Sequence, residues 1–177
     1  LRDFAPDIEV YSIDESFLEL SGFARYSYHA YGTEIRQRVA DWLGLAVCVG
    51  VGATKTLAKL ANHCAKKALA GAKGVCDFTA LSEHELTALF DRIAVADVWG
   101  VGRKLSERLQ DMGIHTVRQL RDCDARSLRS RFSVVLERTI QELRGVSCIT
   151  LEEVAPERQQ IMCSRSFGTL LYTLPEL

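Results

Sequence analysis

The pattern of apolar positions predicts an α+β first half of the chain and a helical second half. From Val10 to Leu20 the residues are mostly apolar and β-prone, which indicates a strand or a hairpin. The run Leu45–Val51 is continuously apolar and bounded by glycines, which predicts a strand covered on both faces inside a sheet. Between them, apolar residues recur at helical spacing up to the natural stop Gly44, at Ile35, Val39, Trp42 and Leu43. That spacing predicts an amphipathic helix with one dry side.

The next segment, Thr54–Leu69, has the pattern of a two-sided helix. Its apolar side consists of Leu57, Leu60, Ala61, Cys64 and Ala68, and its opposite side of Lys55, Lys59, Asn62 and Lys66. The lysines have no acidic residue at the i,i+4 positions that usually accompany surface lysines. The helix N-terminus also follows the strand directly, and its dipole favours anions. We therefore expect a phosphate-binding face; the alternative is an ordinary solvated face.

A change of composition after the short edge strand Val75–Phe78 predicts a domain boundary near residue 78. The chain beyond it is nearly all helical in pattern. Two capping boxes predict helix starts, Ser82-x-x-Glu85 and Thr116-x-x-Gln119. A later helix is predicted at Val134–Leu143. Another short helix contains Arg126, Arg129 and Arg131, whose acidic neighbours favour a solvated face.

The segment Val98–Leu109 has the order hydrophobic, Gly, hydrophobic, Gly, and then a helix. With Met112-Gly113-Ile114 and a second helix after it, this is the pattern of a helix-hairpin-helix. Gly100 and Gly102 allow a tight turn and leave bare backbone N–H groups for a phosphate oxygen. The segment therefore predicts contact with a nucleic-acid backbone without base readout. The alternative is a plain glycine-containing corner.

Two adjacent acids, Asp14 and Glu15, interrupt the apolar run in the first strand region. Ionised carboxylates lower β-propensity, so two of them inside a β-prone run are unfavourable for the strand. Such an exception to the local pattern indicates a functional site. On a continuous strand the two side chains would face opposite ways. A tight turn would instead direct both towards one hard cation. The alternative is a solvated hairpin tip.

Composition limits the class of protein. With 177 residues, 47% hydrophobic and 25% charged, the chain is long enough for one globular domain or two small ones. No apolar run approaches the ~20 residues of a membrane span, so a soluble intracellular protein is expected. The cysteines are scattered and give no zinc spacing, which predicts free thiols. Net charge is -1, yet there is no acidic residue between Asp41 and Asp77, where five lysines lie. The start without Met suggests a piece of a longer protein.

Three motifs together resemble the Y-family translesion DNA polymerases, most closely the UmuC type. They are SIDES at Ser12–Ser16, VGVGATKTLAKLANHCAKK at Val49–Lys67 and WGVG at Trp99–Gly102. The resemblance implies an α+β fold with an incomplete antiparallel-sheet palm packed with helices, at residues 1–77. It implies an all-helical thumb with a helix-hairpin-helix at 78–158. Residues 159–177 would be a linker and the truncated first strand of the little finger.

The same resemblance assigns roles to individual residues. Asp14 and Glu15 would be two of three carboxylates that hold two Mg2+ ions, and Lys66 would bind the incoming triphosphate with support from Lys59. The residues expected on the DNA backbone are Gly100, Val101, Gly102, Arg103 and Lys104, together with Ser164, Arg165 and Ser166. Trp99 is expected in the core of the hairpin. The family's first palm Asp and its fingers are not in this sequence, so the fragment alone is expected to be inactive.

The activity implied is error-prone synthesis past lesions in SOS repair, in the bacterial cytoplasm at the nucleoid. Its substrates would be primer-template DNA and a deoxynucleoside triphosphate. Its partners would be a UmuD-type dimer, a recombinase filament and the sliding clamp. One alternative is a P-loop NTPase, although Thr54 stands where the motif needs Gly before the Lys. The other is a non-catalytic helix-hairpin-helix DNA-binding module.

Overall fold

The computed structural model describes residues 1–23, 27–71, 73–125, 128 and 132–151. The strands are β1 (Ile8–Val10), β2 (Ser16–Leu18), β3 (Val49–Val51) and β4 (Val75–Asp77). The α-helices are α1 (Tyr28–Leu43), α2 (Lys55–Lys67), α3 (Glu83–Asp91), α4 (Arg103–Asp111), α5 (Val117–Asp122) and α6 (Val134–Leu143). Within the described residues the strands all precede residue 78, which confirms the α+β order.

Strands β1 and β2 form an antiparallel hairpin in which Val10 lies opposite Ser16. The loop between them is held by the Glu15 carbonyl, which accepts hydrogen bonds from the N–H groups of Tyr11 and Ser12, both at 3.0 Å. Asp14 and Glu15 therefore lie in a turn. The structure selects the turn over the continuous strand that the apolar pattern also allowed.

Strands β3 and β4 pair in parallel, because α2 connects them as a crossover helix. A Cβ at Gly32 of α1 would lie 3.0 Å from a Val75 methyl group, so α1 covers one face of this sheet. A Cβ at Gly50 would lie 2.1 Å from the Asn62 backbone nitrogen, so α2 covers the other. The cover on both faces is confirmed. The position inside a sheet is not, because β4 is the one hydrogen-bonded neighbour of β3 among the described residues.

Helix α1 begins at its cap Ser27, a start that the apolar pattern did not predict, and ends at Gly44 with φ of 66°, as the sequence predicts. Its dry side is shorter than expected. Ile35 is buried, but Trp42 and Leu43 are 68% and 67% exposed. The helix packs against a sheet of two strands near Gly32, and its last turn extends away from that contact.

The apolar side of α2 enters the same core as the helical second half. The fully buried members of this core include Leu60, Cys64, Phe90, Leu109, Val117, Leu120 and Ile140. Both predicted capping boxes are present, at Ser82 with Glu85 and at Thr116 with Gln119. The domain boundary near residue 78 stays a prediction, since one core extends across it.

We expect Gly50→Ala to destabilise the fold because the new Cβ would overlap the backbone of α2. Overpacking at a site closed by backbone should lower the free energy of unfolding by about 3 kcal/mol or more. Urea unfolding followed by circular dichroism measures the change. Gly102→Ala is the matched control, because φ there is -75° and a Cβ would meet nothing within 4 Å. Equal stability of the two variants would contradict the packing of α2 on β3.

Candidate functional site

The two adjacent acids occupy the end of the hairpin loop and differ in their surroundings. Asp14 is exposed, and its Oδ1 accepts a hydrogen bond of 2.7 Å from the Ser12 hydroxyl. Glu15 is partly buried, with a side chain 27% exposed, and its Oε2 accepts a 2.7 Å hydrogen bond from Lys59 Nζ. The loop and α2 thus fix the direction of one oxygen of each carboxylate.

The lysine side of α2 is only partly a free cationic face. Lys55 Nζ bonds the Glu9 carboxylate of β1, and both side chains are over 90% buried, at 9% and 8% exposure. Lys59 pairs with Glu15, as described above. Lys66, in the last turn of α2, is exposed. The acidic partner of Lys55 lies 46 residues earlier in the chain and that of Lys59 lies 44 residues earlier. The i,i+4 rule considers only residues on the same helix, so it does not detect these pairs. The lack of acidic residues at the i,i+4 positions therefore did not exclude acidic partners, and Lys55 and Lys59 are each paired with one.

An aromatic cluster joins the hairpin to the segment before α4. Trp99 Nε1 donates a 3.2 Å hydrogen bond to the Tyr11 hydroxyl, and the two rings are edge to face with centroids 5.4 Å apart. Phe17 of β2 lies 5.8 Å from Trp99, and Lys59 Nζ lies 5.1 Å from the Tyr11 ring centre. The expectation that Trp99 packs in the core of the glycine hairpin was wrong, because its ring lies on the β-hairpin.

An open groove of about 1210 Å³ brings the candidate residues together. Its lining includes Asp14, Glu15, Lys59, Asn62 and Lys66. The two acids and the two lysines singled out in the sequence therefore face one space, although 52 positions separate Asp14 from Lys66. Their roles stay predictions. Glu9 and Tyr11, which support this arrangement, were not singled out, because their partners Lys55 and Trp99 are distant in sequence.

The donor set of the loop suits a hard divalent cation. Asp14 and Glu15 supply carboxylate oxygens, which Mg2+ prefers, in a groove open to solvent. Among the described residues no group of three or more His, Cys, Asp or Glu side chains could hold a metal ion. The loop therefore fits part of a metal site, and further oxygen ligands are needed to complete one.

The glycine segment has free space at both glycines, whereas the Val101 N–H between them donates a 2.9 Å hydrogen bond to the Val98 carbonyl. Gly100 adopts a φ of 86°, and Gly102 is the N-cap of α4 and has no side chain to cap it. A Cβ at either glycine would meet nothing within 4 Å, and the Arg103 side chain is 87% exposed. The helix-hairpin-helix and its DNA contacts stay predictions. Those placed on Ser164, Arg165 and Ser166, and the short helix with Arg126, Arg129 and Arg131, lie outside the described residues.

The five cysteines in the described part of the chain are free thiols, as predicted. Cys64 of α2 and Cys76 of β4 are buried next to each other. The hydrogen bond between these two side chains, together with burial, raises the pKa of the Cys64 thiol. This thiol therefore stays protonated and is inert as a nucleophile.

Comparisons with known proteins give a consistent result. The impB/mucB/samB family model matches residues 1–63. Over 170 residues the chain is 47% identical to UmuC of Salmonella typhimurium. This alignment covers 95% of this chain and 40% of that protein. It is 31% identical over 137 residues to DNA polymerase IV of Pelotomaculum thermopropionicum, covering 76% of this chain and 32% of that protein.

This chain belongs to the UmuC type of the Y-family DNA polymerases. It spans about 40% of the length of its UmuC relative. Its fold is that of the Y-family, as in the insertion ternary complex of Dbh DNA polymerase, with a TM-score of 0.65 at 20% identity. That alignment covers 86% of this chain and 43% of Dbh. Membership of a polymerase family does not favour either alternative from the sequence, a P-loop NTPase or a non-catalytic helix-hairpin-helix DNA-binding module. None of the helices in the described ranges is long and apolar enough to cross a membrane.

We expect Lys55→Met to destabilise this Y-family fold by about 3 kcal/mol, because it removes the ammonium partner of a buried carboxylate. The double variant Glu9→Leu, Lys55→Met should recover part of the loss, since it also removes the buried acid. Urea unfolding of the two variants and the parent measures both effects.

The control for this pair is Arg103→Met, which breaks a 3.8 Å pair with Glu107 whose side chains are 87% and 63% exposed. It should change the free energy of unfolding by less than ~0.5 kcal/mol. A similarly small effect of Lys55→Met would show that the pair with Glu9 does not hold the hairpin on α2.

Proposed function

We propose that the whole protein is a translesion DNA polymerase that joins a deoxynucleoside triphosphate to a primer by a two-Mg2+ mechanism. The observation that supports this most is the groove in which Asp14 and Glu15 face Lys59 and Lys66. Because the chain belongs to a DNA polymerase family, we interpret the two acids as metal ligands and the two lysines as support for the triphosphate site. The described residues contribute two carboxylates to the ion site, so the activity is assigned to the full-length protein and not to this segment alone.

The residues of this chain have distinct tasks in the proposed reaction. Asp14 and Glu15 would hold the ions, which when bound activate the primer hydroxyl and neutralise the triphosphate. Lys59 orients Glu15 through its 2.7 Å hydrogen bond. Lys66 places an ammonium group in the same groove, where a triphosphate would meet it. The Ser12 hydroxyl fixes one oxygen of Asp14.

DNA binding is proposed at the start of α4. The N–H groups of Gly100 and Gly102 would donate hydrogen bonds to a phosphate oxygen, with Arg103 and Lys104 adding positive charge. Such contacts position the duplex and read no bases. The Val101 N–H instead donates to the Val98 carbonyl at 2.9 Å, so Val101 would hold the turn that presents the two glycines. The exposed backbone around Gly100 and the exposed Arg103 support this placement.

The cellular context is proposed from the UmuC resemblance. The protein would act in SOS mutagenesis at the bacterial nucleoid, with a UmuD-type dimer, a recombinase filament and the sliding clamp. The 47% identity to UmuC over 95% of this chain supports that context.

We expect Asp14→Asn and Glu15→Gln in the full-length protein to lower the rate of primer extension by at least ~100-fold. Each change removes a charged oxygen ligand worth several kcal/mol in such a site. The affinity for primer-template DNA, measured by fluorescence anisotropy, should stay within about twofold. Glu83→Gln, an exposed acid in the first turn of α3, is the control and should leave the rate unchanged. Full activity in both loop variants would refute the proposed role of the loop.

We expect Lys66→Met to raise the KM for the incoming nucleotide by about 10-fold, because an ammonium group facing the triphosphate is lost. Steady-state single-nucleotide incorporation measures it. Lys67→Met is a matched control, since Lys67 is the adjacent exposed lysine and does not line the groove. Equal effects of the two substitutions would mean that general positive charge, and not the position of Lys66, binds the triphosphate.

A further inference from the structure

Glu142, in the last turn of α6, is an acidic side chain with 0% exposure. Its Oε2 accepts a 3.0 Å hydrogen bond from the backbone N–H of Thr56. Its Oε1 accepts hydrogen bonds of 2.6 and 3.1 Å from the N–H groups of Cys148 and Ile149. A buried carboxylate is retained only at a cost, and three donors converging on it indicate a specific task.

The bonds of Glu142 belong to a larger junction between α2 and the end of the helical part. The Thr54 hydroxyl donates to the Glu142 carbonyl at 2.9 Å while it caps α2 by accepting from the N–H of Leu57. Lys55 Nζ donates to the Thr150 carbonyl at 2.8 Å. Three consecutive residues at the start of α2 are therefore tied to the segment from residue 142 to residue 150. The carboxylate also lies at the positive end of the α2 dipole.

The start of α2 is in turn the support of the hairpin loop. Lys55 bonds Glu9 of β1, and Lys59, one turn further along α2, bonds Glu15 in the loop itself. A change in the position of the first turn of α2 would therefore move both lysines. The loop acids would move with them, because the loop is held to α2 at both points.

We propose that Glu142 is a positioning residue, whose carboxylate fixes the first turn of α2 so that Lys55 and Lys59 hold the Asp14–Glu15 loop at the groove. Glu142 does not line the groove, so it acts through α2. The part of this proposal that concerns catalysis rests on the proposed polymerase function. The part that concerns the position of the loop does not.

Glu142→Gln is the sharpest substitution, because it keeps the shape and changes the hydrogen-bonding capacity. A glutamine has one acceptor oxygen and one NH2 group. If its oxygen faces Cys148 and Ile149, its NH2 faces the N–H of Thr56; if it is turned round, the NH2 faces the other two donors. At least one backbone donor is then left without its acceptor.

The experiment uses the full-length protein and hydrogen–deuterium exchange read by mass spectrometry on three regions. The expected result is exchange at least ~10-fold faster at Thr56 and at Cys148–Ile149, and also at Tyr11 and Ser12, whose N–H groups close the hairpin loop. Primer extension should show kcat lowered by ~10-fold or more, because the loop acids are displaced, with the KM for nucleotide within about twofold.

Glu85→Gln is the matched control. Glu85 is also a carboxylate that bonds a helix-capping backbone N–H, but it serves the N-cap of α3. It should leave exchange at Tyr11 and Ser12 and the value of kcat unchanged. If circular dichroism shows that Glu142→Gln does not fold, Glu142→Asp gives the same readouts, since it keeps both acceptor oxygens and shortens the side chain by one methylene.

The outcomes separate the two levels of the proposal. Faster exchange at Thr56 with unchanged exchange at Tyr11 and Ser12 would overturn the link to the loop. Faster exchange in the loop with an unchanged kcat, in an active polymerase, would overturn the catalytic consequence. Absence of primer extension by the parent protein would instead refute the proposed function, and the exchange results would still decide whether Glu142 positions the loop.

Discussion

The close approach of α2 to β3 is the constraint on which the rest of the structure depends. Gly50 and Gly52 have no Cβ, and one built there would lie 2.1 Å from the Asn62 nitrogen or 2.7 Å from the Ala58 nitrogen. Helix backbone therefore lies directly on strand backbone. This leaves the buried side of α2, including Leu60 and Cys64, to enter the core shared with the helical part. The position of α2 is therefore fixed on one side by the sheet and on the other by the shared core.

Charge then links this helix to the hairpin. Lys55 and Lys59 point away from the core and meet Glu9 and Glu15, which lie on a different element. Buried ion pairs contribute little net stability after the cost of desolvation, but removing one partner is expensive. The main effect of the two ion pairs in this structure is on geometry. Because they lie one helical turn apart, they restrain both the position and the rotation of the hairpin relative to α2. Trp99 adds an apolar contact with Tyr11 and Phe17 on the same hairpin.

The features predicted correctly from sequence have local causes. The extent of α2 to within two residues, the stop of α1 at Gly44 and both capping boxes follow from spacings of three or four residues. The features missed have partners far along the chain: Glu9 is 46 residues from Lys55, Tyr11 is 88 from Trp99 and Thr56 is 86 from Glu142. Spacing rules contain no information about such pairs. The exposure of Trp42 was missed for the same reason, since a pattern shows that a side chain is apolar but not which element covers it.

The pairing of Lys59 with Glu15 also bears on how a divalent cation would be accepted at the loop. A carboxylate has about four lone-pair sites, so an ammonium group on Oε2 leaves capacity for a metal ion on the same group. The ammonium charge lowers the affinity of that carboxylate for a cation, yet it holds the side chain in one orientation before the ion arrives. The Ser12 hydroxyl holds Asp14 in the same way without a charge. The loop thus combines a lowered affinity for cations with carboxylates that are already oriented before an ion binds.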